Sequence, residues 1–211
     1  MPDVYFINVW VTFRCNFRCR YCYVKGLYQD KDLDFETAER IVKYIHDTIK
    51  PGQKLIVNFH GGEPLLNFEV IKHFVFLCES RFTNVSFGIT TNGSLINDET
   101  LEFLSEKMKF NLSLSIDGDK DTHELNRKCI VGKIDYSALI ESAKTVLEKT
   151  KQVRIRMTYD PLTVNKLADN IIYFIEMGFK WVVPVADFYS KEWEDKDFAE
   201  VEKQFKRVET Y

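Results

Sequence analysis

The sequence predicts an α/β domain in which a parallel sheet is covered on its outer side by helices. Apolar, β-rich runs recur six times, at 5–12, 55–60, 85–90, 111–116, 153–159 and 181–185. The segments between them mostly carry helical periodicity. A chain of 211 residues, 45% hydrophobic and 14% aromatic, can bury one sizeable core, so a single domain is expected. Strands near-continuous in apolar residues, each followed by a helix, pair in parallel through right-handed crossovers. Six such units suit either an open doubly wound sheet or an incomplete barrel.

The first helix is expected to start near Asp34, a good N-cap type, with Ala38, Ile41, Val42, Ile45 and Ile49 on one face. Ile71, Phe74, Val75 and Cys78 share a helical stripe that buries the Cys78 thiol. Asn97 and Asp135 read as caps of two further helices, the second with Leu139, Ala143, Val146 and Leu147 inward. Leu167, Ile171, Phe174 and Ile175 form another stripe, stopped at Gly178 where a left-handed residue ends a helix. The segment 191–211 is highly charged but spaces Phe198, Val201, Phe205 and Val208 as an amphipathic helix that must cover something. Residues 1–188 are therefore read as the core and 189–211 as a terminal helix, either closing a compact enzyme without an auxiliary cluster or beginning an extension that is cut short.

Twenty-nine basic against thirty-two acidic residues give a net charge of −3, with no basic stripe, so a nucleic-acid partner is not expected. Residues 1–6 lack the marks of a secretory leader, and no stretch approaches the ~18 apolar residues of a membrane span. A cytoplasmic, reducing setting without membrane attachment is the expectation. Five cysteines, three of them within eight residues, favour thiolate ligation over a disulfide framework.

Those three follow the first strand in Cys15-Asn16-Phe17-Arg18-Cys19-Arg20-Tyr21-Cys22, a C-x3-C-x2-C spacing. Closely spaced soft thiolates can wrap one iron–sulfur cubane, and three of them leave the fourth iron open to substrate. A zinc knuckle is the plainer alternative, but Cys78, Cys129, His46, His60, His73 and His123 supply no matching fourth ligand pair. The other unusual residues also fall at strand ends: Gly61-Gly62-Glu63-Pro64, Thr91-Asn92-Gly93, and Ser115 with Asp117-Gly118. In parallel α/β barrels the chemistry collects there. Each also has an ordinary reading, as a tight turn, a helix-end charge or a cap. Arg127 suits either a surface ion pair or a forked grip on a carboxylate.

Taken together these motifs resemble the radical S-adenosyl-L-methionine (SAM) superfamily, in particular its anaerobic sulfatase-maturase and SPASM-type peptide-maturase branch. The resemblance runs from Cys15 to about Met157 and includes Ser115-Ile116-Asp117-Gly118 followed by His123 and Asn126-Arg127. It implies a partial (β/α)6 barrel. It implies that Cys15, Cys19 and Cys22 ligate a 4Fe-4S cluster whose open iron takes SAM. Gly61, Gly62, Glu63 and Pro64 would contact the SAM amino group, with Glu63 the charged partner. Ser115 and Asp117 would face the ribose, Arg127 the methionine carboxylate and Tyr21 the adenine. Thr91 and Asn92 complete the implied cofactor pocket. The implied reaction is reductive SAM cleavage to a 5′-deoxyadenosyl radical that abstracts hydrogen from a peptide or protein side chain, fed by an electron donor such as flavodoxin or ferredoxin in an anaerobic cytoplasm.

The resemblance stops short of the cysteine-rich extension usual in that branch, since no cysteine follows Cys129, a residue to which no role is assigned. A radical SAM enzyme acting on a small molecule, a glycyl-radical activase and a non-catalytic metal-binding scaffold or inactive fragment stand as alternatives.

Overall fold

The computed structural model describes residues 3–27, 30–132, 135–189 and 191–211. Met1 and Pro2, which open the N-terminal reading above, lie outside them. In chain order the elements are β1 (Val4–Thr12), β2 (Phe17–Cys19), α1 (Phe35–Thr48), β3 (Lys54–Gly61), α2 (Phe68–Arg81), β4 (Val85–Thr91), α3 (Asp98–Lys107), β5 (Asn111–Ser115), α4 (Lys120–Asn126), β6 (Arg127–Cys129), α5 (Tyr136–Thr150), β7 (Val153–Tyr159), α6 (Leu167–Glu176), β8 (Trp181–Ala186) and α7 (Asp195–Glu209). The six expected strands form one sheet in the order β1-β3-β4-β5-β7-β8, parallel at β1–β3, β3–β4 and β7–β8. No helix among the described residues is long and apolar enough to cross a membrane.

The chain gathers into two compact units, residues 1–16 with 24–112 and residues 17–23 with 113–211. In the first, β3 is buried without a break from Leu55 to Phe59, as a strand covered on both faces requires. Phe59 meets the edge of Phe74 and stacks on Phe87, with centroids 5.7 and 6.3 Å apart. Asp34 caps α1 by accepting from Thr37 N–H at 2.6 Å, and Ala38, Val42 and Ile45 are its buried face. Asn97 and Thr100 cap α3 reciprocally. Cys78 is fully buried on α2, and burial pushes its thiol up to about 12.

In the second unit, Asp135 caps α5 through Ala138 N–H at 3.0 Å. The last turn of α6 closes as the left-handed glycine dictates: Gly178 sits at φ +94° and Phe179 N–H reaches back to Phe174 O at 3.1 Å. Ile175, expected inward, is 40% exposed, at the edge of the stripe that buries Leu167, Ile171 and Phe174. Pro184 lies in β8, at a sheet edge where a missing N–H is tolerated.

The terminal helix forms, and its buried face keeps only half of the apolar stripe that its spacing predicts. Val201 and Val208 pack against Met157, Tyr159, Val164, Leu167 and Ile171, while Phe198 and Phe205 are 49% and 36% exposed. The positions between are buried polar residues with fixed partners. Gln204 Oε1 accepts from Ala168 N–H at 3.0 Å, and Asp197 accepts from Glu194 N–H at 2.9 Å.

Candidate functional site

Each unit carries one half of the motif set. In the first, β3 runs beside β1 with a register irregularity between Trp10 and Thr12, after which Thr12 faces Gly61. The pairing then continues into the loop: Gly62 N–H donates to Thr12 O at 2.9 Å and Glu63 N–H to Arg14 O at 2.8 Å. Only glycine fits this approach. A Cβ on Gly61 would stand 2.3 Å from Thr12 O, and one on Gly62 would stand 2.1 Å from Arg14 O and 2.9 Å from Cys15 Cβ. The glycine pair thus clamps the backbone that leads into Cys15.

Glu63 is turned inward and is 1% exposed. Its Oε1 accepts from Leu65 N–H at 3.1 Å and from the Thr91 hydroxyl at 2.7 Å, and its Oε2 accepts from Asn92 N–H at 2.7 Å. Pro64 opens a buried 3-10 turn behind it. The Asn92 side chain donates to Asn16 Oδ1 at 2.8 Å and accepts from Ser94, whose hydroxyl in turn accepts from Asn16 at 2.8 Å. Thr91 and Asn92 therefore fasten the residue directly after Cys15.

In the second unit the loop carrying Cys19 and Cys22 is strand-paired. β2 and β6 form an antiparallel ribbon in which Phe17 faces Cys129, Arg18 faces Lys128 and Cys19 faces Arg127. Beside it Asp117, wholly buried, binds three donors: Arg127 Nη2 and Thr158 N–H, each 2.9 Å from Oδ1, and the Tyr21 hydroxyl at Oδ2. The Arg127 guanidinium lies 5.3 Å from the Tyr21 ring centroid, and its Nη1 is 3.9 Å from Cys19 Sγ. Burial works against the Arg127 charge, but Asp117 outweighs it and holds the group protonated. Burial pushes the Cys19 thiol up to about 11, with Arg127 pulling the other way. Ser115 ends β5, half-buried. His123, fully buried and pushed down to about 4 by that burial, accepts Asp117 N–H at Nδ1, 3.4 Å away.

Cys15, Cys19 and Cys22 form no disulfide and are partly exposed, the first belonging to one unit and the other two to the second. Among the described residues no three His, Cys, Asp or Glu side chains form a preassembled metal site, so the fit of a cluster is judged on donor chemistry and surroundings. Three thiols within eight residues are the soft donors an iron–sulfur cluster takes, one short of saturating a cubane. Arg127 Nε is buried without a hydrogen-bond partner among the described residues, a donor left over for an anion next to Cys19. The surroundings fit a cluster with an anionic ligand.

Several groups here carried no sequence signal. Asn16, Ser94 and Thr158 are ordinary loop and strand residues, Arg20 fills an unspecified position between two motif cysteines, and Asp160 lies outside every motif. The β2–β6 ribbon is three residues a side, too short to show a period.

Residues 10–174 match the model of the radical SAM superfamily, and the chain belongs to that superfamily. Among curated proteins it is 37% identical over 110 residues to the uncharacterized protein MJ0907 of Methanocaldococcus jannaschii, a match over 51% of this chain and 37% of that one. It is 30% identical over 193 residues to a cysteine-type anaerobic sulfatase-maturating enzyme of Clostridium perfringens, over 86% of this chain and 51% of the enzyme. The chain thus spans between about a third and a half of the length of these relatives. Among solved structures it resembles native anSMEcpe with bound AdoMet and Cp18Cys peptide, with a TM-score of 0.82 and 25% identity over 97% of this chain and 59% of that one. The α/β sheet is therefore that of a partial radical SAM barrel.

Proposed function

We propose that this chain is the catalytic core of a radical SAM enzyme that modifies a peptide or protein side chain. The observation that carries the reading is the C-x3-C-x2-C motif whose second cysteine is strand-paired with Arg127 and lies 3.9 Å from its guanidinium. Cys15, Cys19 and Cys22 would hold a 4Fe-4S cluster. When bound, the cluster supplies the electron that cleaves SAM, and with it the 5′-deoxyadenosyl radical that abstracts hydrogen from substrate.

The rest of the task belongs to the chain's own residues. The Gly61-Gly62 backbone and Pro64 would line the amino end of SAM, and Arg127, through its unpartnered Nε, the carboxylate. Ser115 would face the ribose and Tyr21 the adenine side. Glu63 and Asp117 each already bind three internal donors, so we assign them first to positioning: Glu63 holds Thr91 and Asn92 in place, and Asp117 aims Arg127 and Tyr21. A reductant such as flavodoxin or ferredoxin would deliver the electron. A peptide substrate is supported by the sulfatase-maturating relative and by the peptide named with anSMEcpe.

The test is anaerobic reconstitution with iron and sulfide, dithionite reduction with SAM, and chromatography for 5′-deoxyadenosine. Wild type should form it, and the Cys15→Ala, Cys19→Ala, Cys22→Ala triple variant should not. A fully loaded four-iron protein that forms none would sink the reading. A thiol-containing peptide should raise turnover if the substrate class is right.

A further inference from the structure

Between the second and third cysteines of the motif stands Arg20, and its attachments are unlike those of a solvated loop arginine. Its backbone N–H donates to Asn126 O at 2.9 Å, and its Nη2 donates to Asn126 Oδ1 at 2.6 Å. The same nitrogen lies 2.9 Å from Oδ2 of Asp160, the residue directly after β7, whose side chain is 1% exposed. This second contact is an ion pair by distance and does not meet the geometry of a hydrogen bond. Nε and Nη1 are buried without partners among the described residues, so the whole polar hold on the guanidinium runs through Nη2. Asp160 is itself fixed: its Oδ1 accepts from Leu162 N–H at 3.0 Å and from the Thr163 hydroxyl at 3.1 Å, while its own N–H donates to Thr163 at 3.1 Å.

From these contacts we infer that Arg20 and Asp160 are positioning residues, which lock the Cys19–Cys22 segment to the end of β7 and so set how firmly the cluster is held. The physical reason is that a three-thiolate site lacks the fourth protein ligand that would otherwise restrain the loop. Its rigidity must come from the residues between the cysteines, where Tyr21 is tied to Asp117 and Arg20 to the end of β7. A buried carboxylate is held still by two local donors, and a cation on the ligand loop is drawn to it. The inference rests on the cluster reading above.

The test uses the whole chain, reconstituted anaerobically, as wild type, Arg20→Gln, Arg20→Lys, Asp160→Asn and the Arg20→Gln/Asp160→Asn pair. The rate at which an iron chelator strips the cluster is followed together with the electron paramagnetic resonance (EPR) spectrum of the reduced cluster and thermal unfolding of the apo protein. Loss of a partner that orients a metal ligand typically costs about tenfold or more in metal hold, so Arg20→Gln and Asp160→Asn should each lose iron about tenfold faster, with altered spectra. Arg20→Lys, which keeps the charge, should recover most of the difference. The double variant should match the single ones rather than multiply them, as coupled residues do. Arg20 is the more exposed partner, so its variants keep the test open if Asp160→Asn unfolds the apo protein. Wild-type stripping rates and spectra in a folded Arg20→Gln protein would overturn the inference while leaving the cluster reading intact. A wild type that takes up no cluster at all would overturn both.

Discussion

Glu63 in the first unit and Asp117 in the second are both buried carboxylates among the motif residues, and they are held by different sets of donors. Glu63 accepts from neutral donors, two backbone N–H groups and a threonine hydroxyl. Asp117 is held by a buried arginine, with a tyrosine and one backbone N–H completing its shell. The difference shows what each is built for. A carboxylate gripped by backbone fixes a turn, here the one that fastens Asn16 beside Cys15. A carboxylate paired to arginine fixes a charge, here the guanidinium beside Cys19.

The contrast is sharpest under mutation. Asp117→Ala leaves Arg127 charged, buried and uncompensated, and should lower stability by about 3–5 kcal/mol in urea unfolding. The Asp117 side should also be the pH-sensitive one, through His123. Its folded-state pKa of about 4 lies below the ordinary 6.5. Below 6.5 the unfolded chain binds the proton first, so stability is complete above that pH and is lost as pH falls toward 4, by roughly 3 kcal/mol in all. Denaturant midpoints measured across that window should fall with acid, and a His123→Gln protein should show a flatter profile. Equal slopes in the two proteins would remove histidine from the account.

Glu63→Gln is the milder break. It turns an amide NH2 toward at least one N–H or O–H donor and should cost about 1–3 kcal/mol, with no new pH dependence. If it proved worse than Asp117→Ala, the distinction between turn-fixing and charge-fixing carboxylates would be wrong. At the bottom of the scale, Glu202→Gln removes an exposed pair with Lys206 on α7 and should leave the unfolding midpoint where it was.

Much of this was legible in the chain itself. The β3 run from Leu55 to Phe59 reads as a doubly covered strand because apolarity broken only at Asn58 has few other uses. Asp34, Asn97, Asp135 and Gly178 mark helix ends because those residue types satisfy orphan backbone groups. Periodicity found Val201 and Val208 on α7 but missed Gln204 and Asp197, because it counts apolar residues and these are buried by hydrogen bonds to backbone. The motifs located the cysteines and Arg127 but not what steadies them. Arg20 and Asp160 lie far apart in the chain and make a pair only once β7 is in place.

The most direct test of the central claim is spectroscopic. The protein is reconstituted with 57Fe, and Mössbauer spectra of the oxidised cluster are recorded before and after SAM is added. A cubane on Cys15, Cys19 and Cys22 alone predicts four irons per cluster, one of which changes its isomer shift when SAM binds while three do not. Four equivalent irons indifferent to SAM, or tightly bound zinc without sulfide, would contradict it.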